Sequence, residues 1–254
     1  MIVMIPELSV LLKKSVEQCL EDNVAVAFSG GVDSSLIAHI AQHSVETEAF
    51  VCGTEKSEDL EYAVRVAEEL QLNLITHVFT EEEILETYKK CHLIVPGDLL
   101  KVELLVPVYK VAEMAKLSGH SVILFGSGSE ELFVGYERYY TYLKEGKDVD
   151  EILKEEFKTL KHRDIGAVEK ICRKLGIEAR FPFYNNELAN FVFSIPLEMR
   201  MENRELKKGL IREAAKLLGL TDTAVNRKKR AMQYGSGVHK ILLNHSEELN
   251  RLQK

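Results

Sequence analysis

Apolar positions along the chain fall into two alternating rhythms. Four short runs, Val24–Phe28, Ala49–Cys52, Leu72–Val78 and Val122–Phe125, are bounded by polar residues or glycine, the pattern of strands buried on both faces. Between them the apolar residues return at helical spacing. Ala63, Val66, Ala67 and Leu70 mark one helix with Ser57 as its N-cap, and Thr80 followed by Glu83 is a capping box that opens another. Buried strands alternating with helices predict an α/β fold, an open parallel sheet of about five strands with helices on both faces. Near residue 143 the rhythm changes, and the remainder reads as helices only, with loops near 181–186 and 222–237. The expected organisation is one domain over 1–254. It has an α/β core at 1–143 and a helical C-terminal portion at 144–254, meeting near Gly146.

Composition narrows the class of protein. The chain has 254 residues, 46% of them hydrophobic and 29% charged, which is ordinary for a globular protein. A chain of this length buries about 75% of its unfolded surface. The net charge of −7 gives no broad positive field for nucleic acid, although a local basic patch stays open. Cys19, Cys52, Cys91 and Cys172 are far apart and form no CxxC. That argues against a thiolate zinc site, a redox pair or a disulfide framework, and fits a reducing compartment. His39 and His43 share a helix face but lack a third ligand. The N-terminus, M-I-V-M-I-P-E-L, turns acidic too soon for a signal peptide, and no run of 18 apolar residues exists. A soluble cytoplasmic protein is expected.

The candidate chemistry sits where the first run ends, at V-A-V-A-F-S-G-G-V-D-S-S, residues 24–35. A helix beginning at Val32 would present unpaired N–H groups and the positive end of its dipole. Gly30 and Gly31 let main-chain amides approach a ligand, and Ser29, Ser34 and Ser35 add hydroxyls. This is a cradle for phosphates. Asp33 would repel a polyphosphate unless a magnesium ion stood between them. A Gly-Gly turn with Asp33 merely capping the helix is the alternative. Neither G-x-x-x-x-G-K-[ST] nor G-x-G-x-x-G is present.

S-G-G-x-D-S-S resembles the pyrophosphate loop of the N-type ATP pyrophosphatases, which split ATP between its α and β phosphates. The fourth run enters a similar turn, L-F-G-S-G-S-E-E-L-F-V-G-Y-E-R-Y at 124–139. If the first and fourth strands are neighbours, Asp33 and Glu130 face one another across a magnesium–pyrophosphate group. Glu130 and Glu131 also suit a first helical turn for electrostatic reasons alone. This second loop looks like the G-x-G-[SA]-D-E-x-F-G-G-Y-x-R-Y signature of the asparagine synthetase C-terminal (synthetase) domain. Three further stretches are similar to that family: F-V-C-G-T at 50–54, G-I-E-A-R-F-P-F-Y-N at 176–185, and R-K-K-R-A-M-Q-Y-G-S-G at 227–237.

The resemblance implies an adenine nucleotide alpha hydrolase-like fold and an ATP-dependent, AMP-forming amide ligase. ATP contacts would come from Phe28, Ser29, Gly30, Gly31, Val32, Asp33, Ser34, Ser35, Cys52, Gly53, Gly126 and Arg230, with the adenine beside Cys52 and Gly53. Lys229 would bind pyrophosphate, and Lys229, Glu130 and Ser127 would form the catalytic set, with Asp33 and Glu130 on magnesium. The basic run Arg227–Arg230 also reads as a solvated face or an RNA contact. The substrate would be a small carboxylate, aspartate by resemblance. The amine would be ammonia, free or from a separate glutaminase subunit, or a different amine, because no glutaminase half is seen here. No membrane or nucleic-acid partner is expected, and a homodimer is left open. Three departures stand out: Ser127 occupies the position of the family's catalytic glutamate, Glu130 replaces the family's Asp with a longer-armed acid, and Asn185 replaces the Asp of P-F-L-D. A tRNA-modifying adenylating enzyme and a non-catalytic nucleotide-binding subunit are the alternatives.

Overall fold

In the computed structural model, which describes residues 4–228 and 232–249, the four apolar runs are strands. They are β1 (Asn23–Ala27), β2 (Glu46–Gly53), β3 (Asn73–Val78) and β4 (Val122–Leu124). A fifth, β5 (Glu178–Arg180), completes an all-parallel sheet in the order β3-β2-β1-β4-β5. The two edges depart from the expected pattern. β5 lies inside the portion read as helices only; two of its three residues are charged, so no apolar run announces it. It pairs with β4 from Val122↔Glu178 to Leu124↔Arg180. Arg180 is held by Glu178 and Glu21 and by the carbonyls of Cys19 and Leu20. β3, at the other edge, has no fully buried residue.

The helices that matter for the site are α1 (Met4–Glu17), α2 (Val32–Gln42), α3 (Glu58–Leu70), α4 (Glu81–Ile94), α5 (Leu99–Glu103), α6 (Leu105–Leu117) and α7 (Ser129–Leu132). The caps of α3 and α4 are those the sequence predicts. The Ser57 hydroxyl accepts from Leu60 N–H at 3.2 Å, and Thr80 and Glu83 cap one another reciprocally. α1, α2 and the helix Gly209–Leu217 pack together on one face of the sheet, and α4, α6 and the helix Asp164–Leu175 on the other. One apolar core runs through Leu8, Val26, Ile123, Ile171 and Ile211, so packing is continuous across residue 143. Each such fully buried side chain contributes about 1.5–3 kcal/mol.

Connections from β1 lead to β2 and β3 on one side, while β4 and β5 lie on the other. The winding therefore reverses between β1 and β4, whose register is Ala25↔Ile123 and Val26↔Leu124. Ligands of open α/β sheets bind beyond the carboxyl ends of strands at such a point. Among the described residues no helix is long and apolar enough to cross a membrane.

Candidate active site

The turns that follow β1 and β4 form the floor of the site. Phe28 N–H still donates to Phe50 O at 2.8 Å, and the chain then turns at Ser29-Gly30-Gly31 into α2. Gly30 has φ +70°, and a Cβ there would lie 2.6 Å from the Tyr62 carbonyl oxygen and 2.9 Å from Ala63 N. Only glycine fits a left-handed turn pressed this closely onto α3. Gly30→Ala should cost about 1–2 kcal/mol from the backbone alone, with a further loss because the carbonyl it meets cannot move aside. Denaturant titration reads the difference against Gly31→Ala, whose φ of −83° carries no such penalty.

α2 starts on Gly31 without a side-chain cap, whereas α3, α4 and α5 are capped by Ser57, Thr80 and Asp98. No N-cap side chain thus occupies its first-turn amides, and Asp33 stands in that first turn at the positive end of the dipole. The Ser29 and Ser34 hydroxyls lie 3.2 Å apart, and Ser34 Oγ also receives Ser29 N–H at 3.2 Å. These two serines brace the turn. Ser35 does not line it, contrary to expectation: it is fully buried, and its hydroxyl meets no hydrogen-bond partner. The side chains of Phe28 and Val32 are buried too, leaving only their main chain for a ligand. On the facing turn, a Cβ on Gly126 would stand 3.3 Å from Asp33 Cβ, so the two turns touch. Ser127 follows, half-buried, and Gly128 at φ +98° leads into α7.

Asp33 and Glu130 converge, and the cation between them is an ammonium absent from the sequence expectations. Lys208 Nζ donates to Asp33 Oδ2 at 2.7 Å, to Glu130 Oε1 at 2.7 Å and to Ser129 Oγ at 3.0 Å. Burial alone would push this ammonium toward neutrality, but Asp33 and Glu130 outweigh it and hold it above its ordinary value. On the side of Gly135 the cluster is tightly packed. A Cβ on Gly135 would lie 1.6 Å from Glu130 Oε2 and 2.5 Å from Lys208 Cε. Backbone strain gathers here as well. Of the non-glycine residues with positive φ, Val134 (+54°), Lys207 (+58°) and Lys208 (+55°) all border this centre. Glu131, next along α7, belongs to the interior: burial chiefly pushes its carboxyl up to about 7, and nearby acids add to that.

Asp33 and Glu130 are the kind of carboxylates a magnesium ion takes, with phosphate oxygens and water filling its shell, but Lys208 Nζ bridges both, so an ion would have to share or displace that ammonium. Among the described residues no group of three or more His, Cys, Asp or Glu gathers. A metal here would draw its remaining ligands from water or from a bound phosphate.

Beside the S-G-G turn, β2 extends past the end of β1. Ala27 is in register with Phe50, and Phe50 O faces β1. The alternation of the ladder turns the main-chain groups of Cys52 to the same side, above the turn. The Cys52 thiol is buried and donates to Pro107 O at 3.5 Å. Gly53 O accepts Phe79 N–H at 2.9 Å, and Thr54 N–H donates to Ser236 O at 2.8 Å, so those groups are already engaged.

Two buried arginines tie the loops together. Arg212 gives its guanidinium to four carbonyls: Leu206 (2.9 Å), Lys207 (2.8 Å), Arg227 (3.1 Å) and Val225. Arg227 donates to Ser29 O and, at 2.6 Å, to Asp59 Oδ1, and lies 4.3 Å over the Tyr62 ring. Arg227 is thus neither a solvated cation nor an RNA contact, because it is 3% exposed and pinned against the Ser29–Gly31 turn. Lys229 and Arg230, expected on pyrophosphate, lie outside the described residues. Tyr136 and Tyr139 pack on Arg138, and Asn185 caps the helix Asn186–Ser194 by accepting Leu188 N–H at 3.1 Å, as an aspartate would.

Lys208, Arg212 and Gly135 are the residues that sequence reasoning missed. One signal for Lys208 was present: Lys207-Lys208 stands ahead of an amphipathic helix, at the end where the dipole disfavours cations.

A model of the asparagine synthase family matches residues 7–152 and 141–253. A Methanocaldococcus jannaschii protein, named as a candidate glutamine-hydrolysing asparagine synthetase, is 33% identical over 87% of this chain and 47% of its own length. Human glutamine-hydrolysing asparagine synthetase is 27% identical over 81% of this chain and 38% of its own. The chain thus spans less than half the length of these two relatives. The solved NH3-dependent NAD synthetase of Campylobacter jejuni aligns over 99% of this chain and 87% of its own at a TM-score of 0.47 and 18% identity, too distant to bear on function.

Proposed function

Because the chain belongs to the asparagine synthase family, we propose that it is an ATP-dependent, AMP-forming amide ligase acting on a small carboxylate such as aspartate, with ammonia as the amine. The observation that carries this reading is the Lys208–Asp33–Glu130 cluster at the mouth of an uncapped helix, where β1 and β4 end together. The substrate carboxylate attacks the α-phosphorus of ATP and pyrophosphate leaves; the amine then displaces AMP from the acyl group.

This chain's part in the first step is electrostatic and positional. The first-turn amides of α2 would receive the leaving pyrophosphate, where fixed donors act at low dielectric, while the Lys208 ammonium, its three N–H groups taken by Asp33, Glu130 and Ser129, would act through its charge alone. Asp33 and Glu130 would hold magnesium, which when bound neutralises phosphate charge. Holding carboxylate and phosphorus in line can reach effective molarities of roughly 10⁵ M or more. Main-chain groups of Cys52 are suited to the adenine.

Incubation with ATP, magnesium, ammonium or glutamine, and a panel of carboxylates tests the proposal, with aspartate first and tRNA as a separate arm. One AMP and one pyrophosphate per amide are expected with a small carboxylate. ADP and phosphate as products would contradict the reading, as would AMP formed only with tRNA. Ser127, standing where the family has a glutamate, favours one rival: a nucleotide-binding subunit, which would bind ATP and release no AMP.

A further inference from the structure

Arg227 comes from the far end of the chain, yet its guanidinium reaches the carbonyl of Ser29, the first residue of the phosphate turn. A peptide unit is planar and trans, so a residue's C=O and the next residue's N–H point in opposite directions. A donor that holds Ser29 C=O therefore fixes where Gly30 N–H points. The turn's back is already defined: the missing Cβ of Gly30 faces the Tyr62 carbonyl of α3 at 2.6 Å. Arg227 approaches from that same side, over the Tyr62 ring at 4.3 Å. With Ser29 C=O drawn toward Arg227, peptide planarity would aim Gly30 N–H the other way, away from α3.

The guanidinium is itself immobilised on every side. Asp59, buried in the first turn of α3, accepts from it at 2.6 Å, and the charged pair is 1% and 5% exposed at its side chains. Its main-chain carbonyl is taken by Arg212 at 3.1 Å. A cation so enclosed has no path of its own to a phosphate, and its planar fork serves two acceptors in fixed directions.

We propose that Arg227 is a positioning residue of the phosphate site: its fork, pinned by Asp59 and Tyr62, sets the Ser29–Gly30 peptide plane so that Gly30 N–H faces a bound pyrophosphate group. The inference rests on the nucleotide-binding reading above and adds a residue that acts through another rather than by contact. It separates geometry from charge. A lysine at 227 keeps the positive charge but replaces the planar fork, whose two ends serve Ser29 O and Asp59 in fixed directions, with a single point of donation, so Arg227→Lys should behave like Arg227→Gln.

The test is calorimetric titration of wild type, Arg227→Lys, Arg227→Gln and Asp59→Asn with pyrophosphate and with magnesium ATP, each protein first checked for folding by circular dichroism. Both Arg227 variants should bind about tenfold more weakly or worse, the scale of one aimed main-chain hydrogen bond. Asp59→Asn, which leaves the arginine in place but unpinned, should fall between them and wild type. Millimolar guanidinium should restore part of the affinity in Arg227→Ala and none in wild type. Unchanged affinity in a folded Arg227→Lys, or an effect of Arg227→Gln that Lys fully repairs, overturns the inference and leaves the nucleotide-binding reading standing. Wild type that binds neither ligand overturns both. If the Arg227 variants do not fold, Asp59→Asn decides: wild-type affinity there contradicts the proposal.

Discussion

Lys208→Met is expected to destabilise the protein by about 3 kcal/mol, the lower end of the cost of breaking a buried ion pair, and to abolish nucleotide turnover. The ammonium is 7% exposed at its side chain and the Asp33 carboxylate 14%, so neither exchanges its partner for bulk water at low cost. Glu130, at 33%, is partly screened, which places the estimate at the lower end. Without the lysine, two carboxylates face one another, and one must take up a proton or turn away. Two measurements separate this account from simple loss of packing. Adding Asp33→Asn to Lys208→Met should restore part of the stability, a coupling that a double-mutant cycle reads directly. Magnesium ions should raise the melting temperature of Lys208→Met more than that of wild type, since the vacated pair gains a ligand the native lysine competes with. A loss below about 1 kcal/mol, within the range of an exposed ion pair, would show the cluster to be a surface arrangement.

The second large effect is expected at Arg212. Its guanidinium satisfies carbonyls from both 206–207 and 225–227, and it is 5% exposed. A lysine there has one ammonium and cannot span both segments. Arg212→Lys would leave at least two buried carbonyls unsatisfied at about 1–3 kcal/mol each, so a loss of about 3 kcal/mol in denaturant titration is expected. Catalysis should suffer beyond stability, because the strained Lys207-Lys208 turn is released. Well below the melting temperature, the folded variant should show weakened ATP binding as well as reduced turnover. Wild-type affinity for ATP in that variant would mean the strained turn holds itself.

Much of this architecture is legible in the residue pattern because it rests on local rules. β1, β2 and β4 are buried on both faces and read as apolar runs. α3 and α4 carry their caps in Ser57 and in Thr80 with Glu83. The S-G-G turn and the acids at 33 and 130 also announce themselves, since their residue types and spacing are those expected of a phosphate cradle and a cation site. What stays hidden is set by tertiary partners. β5 is a charged edge strand whose identity comes from pairing with β4. Lys208 lies 175 residues from Asp33, and no local rule connects them. Arg227 sits in a run of four cations that suggests solvent or ligand. Only the placement of Asp59 and Ser29 around it shows a buried brace. Ser35 errs the other way: its spacing suggests a donor to phosphate, but one further residue along α2 turns the side chain into the core.

Exchange of labelled pyrophosphate into ATP, measured with magnesium and the best carboxylate substrate, probes most directly the claim that this site cleaves ATP between its α and β phosphates. Wild type should exchange, Asp33→Ala and Lys208→Met should not, and omission of magnesium should abolish the signal in wild type. Full exchange in Asp33→Ala, or label that never enters ATP in wild type although amide is formed, would contradict the account.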